Sequence, residues 1–126
     1  MAYQSNPIFE YFTNSHRRIT GTATAALTGK TFIGIAVGGT DQNPNLKTAV
    51  AGSRAFGVAG WDVKTDEKVT IFKKGIVSVT AGAALTAGAE VEVGADGKAI
   101  PLATGTAVGQ VLADAALGAD AAVDLY

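Results

Sequence analysis

From Lys68 to Pro101 the chain reads KVTIFKKGIVSVTAGAALTAGAEVEVGADGKAIP, a stretch written almost without interruption in β-structure. Val69 and Ile71 alternate with Thr70 and Phe72, and Val77 and Val79 with Ile76, Ser78 and Thr80. Glu90-Val91-Glu92-Val93 is a strict polar/apolar alternation, the mark of a half-buried strand. Gly94-Ala95-Asp96-Gly97 then turns the chain, because Asp-Gly tolerates the positive φ angles of a tight hairpin. Lys98-Ala99-Ile100 returns as the partner strand, with Pro101 at its end or on a sheet edge, where a missing N–H costs nothing. The stretch holds no His, no Cys and no carboxylate pair in apolar surroundings. It reads as scaffold rather than as a catalytic site, and it commits the chain to a small all-β domain.

A chain of 126 residues is expected to form one compact domain, large enough to bury a core without covalent staples. The absence of Cys excludes disulfides and thiolate metal sites. A net charge of −1 creates no whole-chain field for nucleic acid. No apolar run is long enough to span a bilayer as a helix, and the N-terminal residues lack the apolar core of an export signal. With 16 Gly, many Ala and few large side chains, the core must be thin and the turns many, as in a small β-barrel or a sandwich.

Residues 1–18 differ from the rest. Tyr3, Phe9, Tyr11 and Phe12, four of the nine aromatic residues, sit here with Ile8, among Gln4, Ser5, Asn6, Pro7 and Asn14. The periodicity is neither helix nor strand. Two readings stay open: a frayed terminus, or an extended arm that buries its aromatics in a partner's groove. Disordered tails are usually poor in aromatics, which favours the arm. The division expected is therefore an N-terminal arm over 1–18 and a single β-domain over 19–126.

Within the β-domain, strands are expected at Ile19–Thr24, Thr31–Val37, Arg54–Trp61, Val69–Phe72, Ile76–Thr80, Glu90–Val93, Thr106–Leu112 and Ala122–Tyr126, with a short strand or loop return at Leu46–Val50. Ala113–Ala121 is Ala-rich, but Gly118 argues against a long helix there. An internal repeat runs through these elements. Ala26-Leu27-Thr28-Gly29-Lys30-Thr31-Phe32-Ile33 resembles Ala84-Leu85-Thr86-Ala87-Gly88-Ala89-Glu90-Val91. Phe56-Gly57-Val58 followed by Asp62 recurs as Val108-Gly109-Gln110 followed by Asp114, and Val69-Thr70-Ile71 is matched to Val123-Asp124-Leu125. Two similar halves suggest a pseudo-symmetric barrel or sandwich.

No motif carries strong chemistry. Thr28-Gly29-Lys30-Thr31 resembles the tail of a phosphate-binding loop, but Thr24 stands where that loop needs Gly, and a strand follows instead of a helix. His16 is the only His and lies in a small basic cluster with Arg17 and Arg18, either a solvated turn or a match for acidic groups on a partner. Lys73-Lys74 lacks the flanking residues of a lipoyl or biotinyl lysine. Asp41, Asp62, Asp66, Glu67, Asp114 and Asp120 are scattered over turns, where such residues bond the local backbone, and no calcium-loop spacing links them. Trp61, the sole Trp, is expected as a core or rim anchor or else an interface contact.

Taken in order, Asn6-Pro7-Ile8-Phe9, Ile19-Thr20-Gly21-Thr22-Ala23, Arg54-Ala55-Phe56-Gly57-Val58-Ala59, Glu67-Lys68-Val69-Thr70-Ile71, Gly75-Ile76-Val77-Ser78-Val79-Thr80-Ala81-Gly82, Ala87-Gly88-Ala89-Glu90-Val91-Glu92-Val93 and Gly105-Thr106-Ala107-Val108-Gly109 cover nearly the whole chain. In this order they resemble the tailed-phage capsid cement (head decoration) proteins of the DUF2190 type. Thr13 to Arg18 departs from the pattern, since relatives tend to carry a shorter turn there. The resemblance implies a non-enzymatic protein without cofactor. It implies a place on the outer capsid surface of the virion after synthesis in the host cytoplasm. The partner implied is the major capsid protein, with a homotrimer on the shell and neither nucleic acid nor membrane involved. The expected capsid-binding residues are Tyr3, Ile8, Phe9, Tyr11, Phe12, Arg17 and Arg18. The competing function is a small β-barrel carrier or a carbohydrate-binding domain.

Overall fold

The computed structural model describes residues 18–126, so the expected arm falls outside the described residues apart from Arg18. The elements are β1 (Arg18–Ala23), β2 (Phe32–Ala36), β3 (Asn45–Thr48), β4 (Gly57–Ala59), β5 (Lys68–Phe72), β6 (Gly75–Thr80), β7 (Glu90–Val93), β8 (Ala99–Pro101), β9 (Gly109–Val111) and β10 (Asp120–Leu125). One turn of 3-10 helix, Ala95–Gly97, is the only helical element among the described residues. The first five strands close into a barrel in the order β1-β3-β2-β4-β5, and the last five form a sheet in the order β6-β10-β9-β7-β8.

The two sets are one arrangement used twice. Ile19 pairs with Ile71 as Val77 pairs with Val123. Ile33 lies opposite Gly57 as Val91 lies opposite Gly109. Ile35 faces Leu46 as Val93 faces Ala99. The loops repeat as well. Leu27 bridges Val63 and Leu85 bridges Ala115. The Gly29 N–H donates to Asp62 Oδ1 and the Ala87 N–H to Asp114 Oδ1, both at 2.8 Å. These two aspartates therefore do not bond the local backbone expected of turn residues: each reaches a loop distant in sequence, 33 and 27 residues away, and the same cross-loop bond in both halves supports the two-half reading. One match shifts: Ile71 corresponds to Val123, so the last strand moves by two residues from the sequence alignment. A shift of two keeps every side chain on its face, which is why the hydrophobic pattern did not expose it.

Gly57 and Gly109 recur for a steric reason. A Cβ on Gly57 would lie 2.5 Å from Ile71 Cγ2 and 2.6 Å from the Phe72 carbonyl oxygen. On Gly109 it would lie 2.5 Å from Val123 Cγ1 and 2.8 Å from the Asp124 carbonyl oxygen. Both strands cross the neighbouring strand too closely for any side chain.

The cores repeat with different volumes. The first is Ala23, Leu27, Ile33, Leu46, Ala59, Val63, Val69 and Ile71. Its counterparts Ala81, Leu85, Val91, Ala99, Val111, Ala115, Ala121 and Val123 line the second. The second core is thinner at most changed positions, so it needs outside help. Phe32, Ala49 and Val58, on the outer face of the first barrel, are buried in the second cluster. Their counterparts Glu90, Leu102 and Gln110 are exposed.

Docking also explains why only the first half closes fully. In the first half the Thr22 N–H donates to Pro44 O and the Thr24 N–H to Leu46 O, forming the β1–β3 seam. In the second, the Gly82 N–H still donates to Ala99 O, but the Thr80 N–H reaches Lys30 O in the first half at 2.8 Å. The seam between β6 and β8 shrinks to one parallel bridge, Ala81–Ala99. The Asp-Gly turn seats against the first half too. Asp96 and Gly97 have φ of 58° and 74°, as the sequence predicts, and a Cβ on Gly97 would lie 2.7 Å from Phe32 O. Pro101 ends β8, an edge strand, also as expected. Ala113–Ala121 forms no helix: bends, a turn and the Ala115 bridge lead into β10.

One expectation here needs correction. Glu92 is buried, so the 90–93 alternation does not leave it facing water. Its Oε1 accepts the Ala103 N–H at 2.6 Å beneath the loops carrying Gly52 and Gly105. A loop from elsewhere in the chain covers a face that periodicity marks as open. Trp61 is 51% exposed and stands at the rim, one of the places the sequence assigns it.

Candidate functional site: a basic cleft between the halves

The crossover Lys73-Lys74 joins β5 to β6 and thus joins the two halves. Beside it opens a cleft of about 490 Å³. From the first half come Arg54, Phe56, Lys73 and Lys74, and from the second Thr106, Val108, Leu125 and Tyr126. Phe32 contributes to the apolar floor. The repeat brings equivalent segments to both walls: the loop before the Gly-centred strand and the end of the following strand. The chemistry is one-sided. Arg54, Phe56, Lys73 and Lys74 correspond to Thr106, Val108, Leu125 and Tyr126, so the cations all lie on the first-half wall.

Two contacts with Phe56 hold Lys73 in place. Its Nζ lies 3.7 Å from the centre of the Phe56 ring and donates to the Phe56 carbonyl at 3.0 Å. A cation over an aromatic face is attracted by the ring quadrupole. Burial lowers its pKa below the ordinary lysine value, and repulsion from Lys74 and then Arg54 lowers it further. Among the described residues, no carboxylate lies within 4.0 Å of any of these three cations. The ion pair found there, Lys30 to Asp120 at 2.8 Å, stands on an exposed surface and links the halves. On the opposite wall the Tyr126 hydroxyl donates to Glu90 at 2.7 Å. That bond raises the Tyr126 pKa, with smaller contributions from desolvation and from the charges of Glu90 and Asp124.

The capsid-binding residues expected from the sequence divide sharply. Tyr3, Ile8, Phe9, Tyr11, Phe12 and Arg17 lie outside the described residues, as does His16. Arg18 belongs to β1 rather than to the arm, because it takes the ladder position opposite Phe72. It is exposed, one residue of register away from Lys73. Arg18 thus stands beside the strand end that carries the basic crossover.

Sequence reasoning missed the cleft. The sequence sets Lys73-Lys74 against carrier lysines, and Arg54 only within a strand that also belongs to the cement-protein pattern. The available signal was the repeat itself, which places charge at 54, 73 and 74 and none at 106, 125 and 126. No group of three or more His, Cys, Asp or Glu among the described residues is placed to hold a metal ion. No helix among the described residues is long and apolar enough to cross a membrane.

No family model matches the chain, and no curated protein does. A solved structure is similar over most of its length: the N base of head fiber protein gp8.5 of bacteriophage phi29. The match has a TM-score of 0.74 and 20% identity, and it covers 86% of this chain and 92% of that one. At that identity the likeness shows a shared fold.

Proposed function

We propose that this protein is a structural component of a tailed-phage head, a cement (decoration) protein that binds the outer capsid surface and stabilises the shell. The observation that carries the reading is the fold likeness to a phage head fiber base along nearly the full length of both chains. The ordered sequence resemblance to capsid cement proteins supports it independently. The cleft between the halves adds a concave surface on the folded domain that a partner could occupy.

In this reading the major capsid protein is the partner. The arm is the main anchor, through Tyr3, Ile8, Phe9, Tyr11 and Phe12, with Arg17 and Arg18 in support. Copies sit as a homotrimer on the shell. No catalysis and no cofactor are involved. The carrier alternative fits poorly. Carrier lysines occupy exposed hairpin tips, whereas Lys73 is half-buried over Phe56 in a crossover whose flanking strands pair with other partners. Intact-mass measurement of the native protein gives the direct check, since added mass at Lys73 or Lys74 would restore the carrier reading.

The deciding experiment is co-sedimentation with heads that lack the protein. Wild type should saturate them. Phe9→Ala with Phe12→Ala should lower apparent affinity by at least tenfold, because each buried aromatic anchor contributes about 2 kcal/mol. The melting temperature of the free protein should stay unchanged. Wild type that fails to sediment with heads refutes the function. A double variant that saturates heads at wild-type concentration refutes the arm as anchor.

A further inference from the structure

We propose that the cleft between the halves is a second docking site, which takes a carboxylate-bearing segment of the partner protein, held by Arg54, Lys73 and Lys74. The proposal extends the head-binding reading by assigning it a site on the folded domain, separate from the arm.

Charge complementarity identifies the occupant. Three cations converge on one wall, and among the described residues no carboxylate answers them. Burial is the larger cause of the lowered Lys73 pKa, and repulsion from Lys74 and then Arg54 adds to it. An incoming carboxylate would relieve that repulsion and form charge-assisted hydrogen bonds with the guanidinium and ammonium groups. The cleft's shape narrows the class. Its floor is apolar, with Phe32, Val108 and Leu125, and its rim is cationic. That profile suits a short aliphatic stem ending in a carboxylate, as in a Glu or Asp side chain. A nucleic-acid backbone is a poor fit: it needs an extended basic stripe, and the chain carries a net charge of −1.

The repeat adds an independent argument. The second half keeps the same backbone at its own wall but replaces every cation with an uncharged side chain. The fold therefore does not require charge at these positions. Lys73 is desolvated at a cost to its charged form, an expense that a scaffold lysine could avoid by facing water.

The test is an amide NMR titration of the full chain with N-acetyl-hexaglutamate. Hexaglutamine and inorganic phosphate serve as controls. Saturable shifts are expected at the amides of Ala55, Gly57, Ala107 and Val108. Arg54→Gln with Lys73→Gln should weaken binding at least tenfold while keeping a cooperative melt. If that variant does not fold, the exposed Lys74→Gln should still weaken binding several-fold. Affinity should fall as salt is raised. Four outcomes overturn the site: no saturation, equal shifts with hexaglutamine, saturation of the same amides by phosphate alone, or shifts spread over remote lysines such as Lys47 and Lys64. The same variant is then sedimented with heads. Peptide binding lost with head occupancy unchanged shows that the cleft is not used on the shell and leaves head binding standing. Peptide binding by a wild type that never binds heads keeps the cleft and removes the capsid partner.

Discussion

The two halves share one backbone plan and differ in what their side chains do with it. The first closes its own barrel around Leu46, Val69 and Ile71. The second has Ala99, Ala121 and Val123 at those places and completes its core with Phe32, Ala49 and Val58 borrowed from the first. The first half presents an apolar outer face, and docking buries it. The second presents Glu90 and Gln110 on the equivalent face, tied to Tyr126 and to the Gly88 carbonyl. The third counterpart, Leu102, stays apolar and exposed, so this face is more polar than its equivalent but not uniformly so. Divergence within one backbone plan thus makes one unit the support and the other the one that docks onto it. The same divergence put the cations on a single wall of the cleft.

The sharpest way to break this equivalence is steric. Gly57→Ala and Gly109→Ala should each destabilise the protein by about 2–3 kcal/mol, because a methyl group at either site meets backbone oxygen and a packed side chain. Denaturant unfolding should show the two losses equal within about 1 kcal/mol. A variant that tolerates Ala at one glycine would show that the strands cross less closely in that half.

These glycines also mark how far the sequence could be read. The repeat was visible because Ala-Leu-Thr and the Gly-centred strand are both dictated by local geometry, which leaves a trace in residue type. The strand alternation located β5, β6, β7 and β10 to within a residue or two. Glu92 was misread because its burial comes from a distant loop, which no local pattern reports. The last strand was matched two residues out because 113–121 offers little but Ala for alignment. The basic cleft depends on Arg54, Lys73 and Lys74 meeting across the fold, and only the contrast between repeats hinted at it.

The second comparison is Glu92 against its counterpart Gly34. Glu92→Ala removes the acceptor for the part-buried Ala103 N–H, and an orphaned buried donor costs about 1–3 kcal/mol. Gly34→Ala should be neutral or stabilising by about 0.5 kcal/mol, since a Cβ there meets only ordinary contacts, the nearest being Ala49 Cα at 3.5 Å. Opposite signs from one structural position would show that the second half relies on its buried carboxylate. If Glu92→Ala melts like wild type, water replaces the carboxylate at no cost.

The smallest effect tests whether the halves unfold together. The Asp62 and Asp114 carboxylates make the same 2.8 Å bond to equivalent backbone N–H groups, and both bonds are exposed. Asp62→Ala and Asp114→Ala should therefore each cost about 1 kcal/mol. The shared cluster, with Phe32 and Val58 inside the second core, couples the halves into one cooperative unit. Each variant should accordingly lower a single transition by the same amount, with the double variant additive to within about 0.5 kcal/mol. Independent halves would behave differently. Asp114→Ala would then split the melt and bring an early transition from the thin-cored half, while Asp62→Ala would move only the later one. A calorimetric trace with two peaks in Asp114→Ala would refute the borrowed core as the coupling element. A single shifted peak in both variants is the outcome that packing of Phe32, Ala49 and Val58 requires.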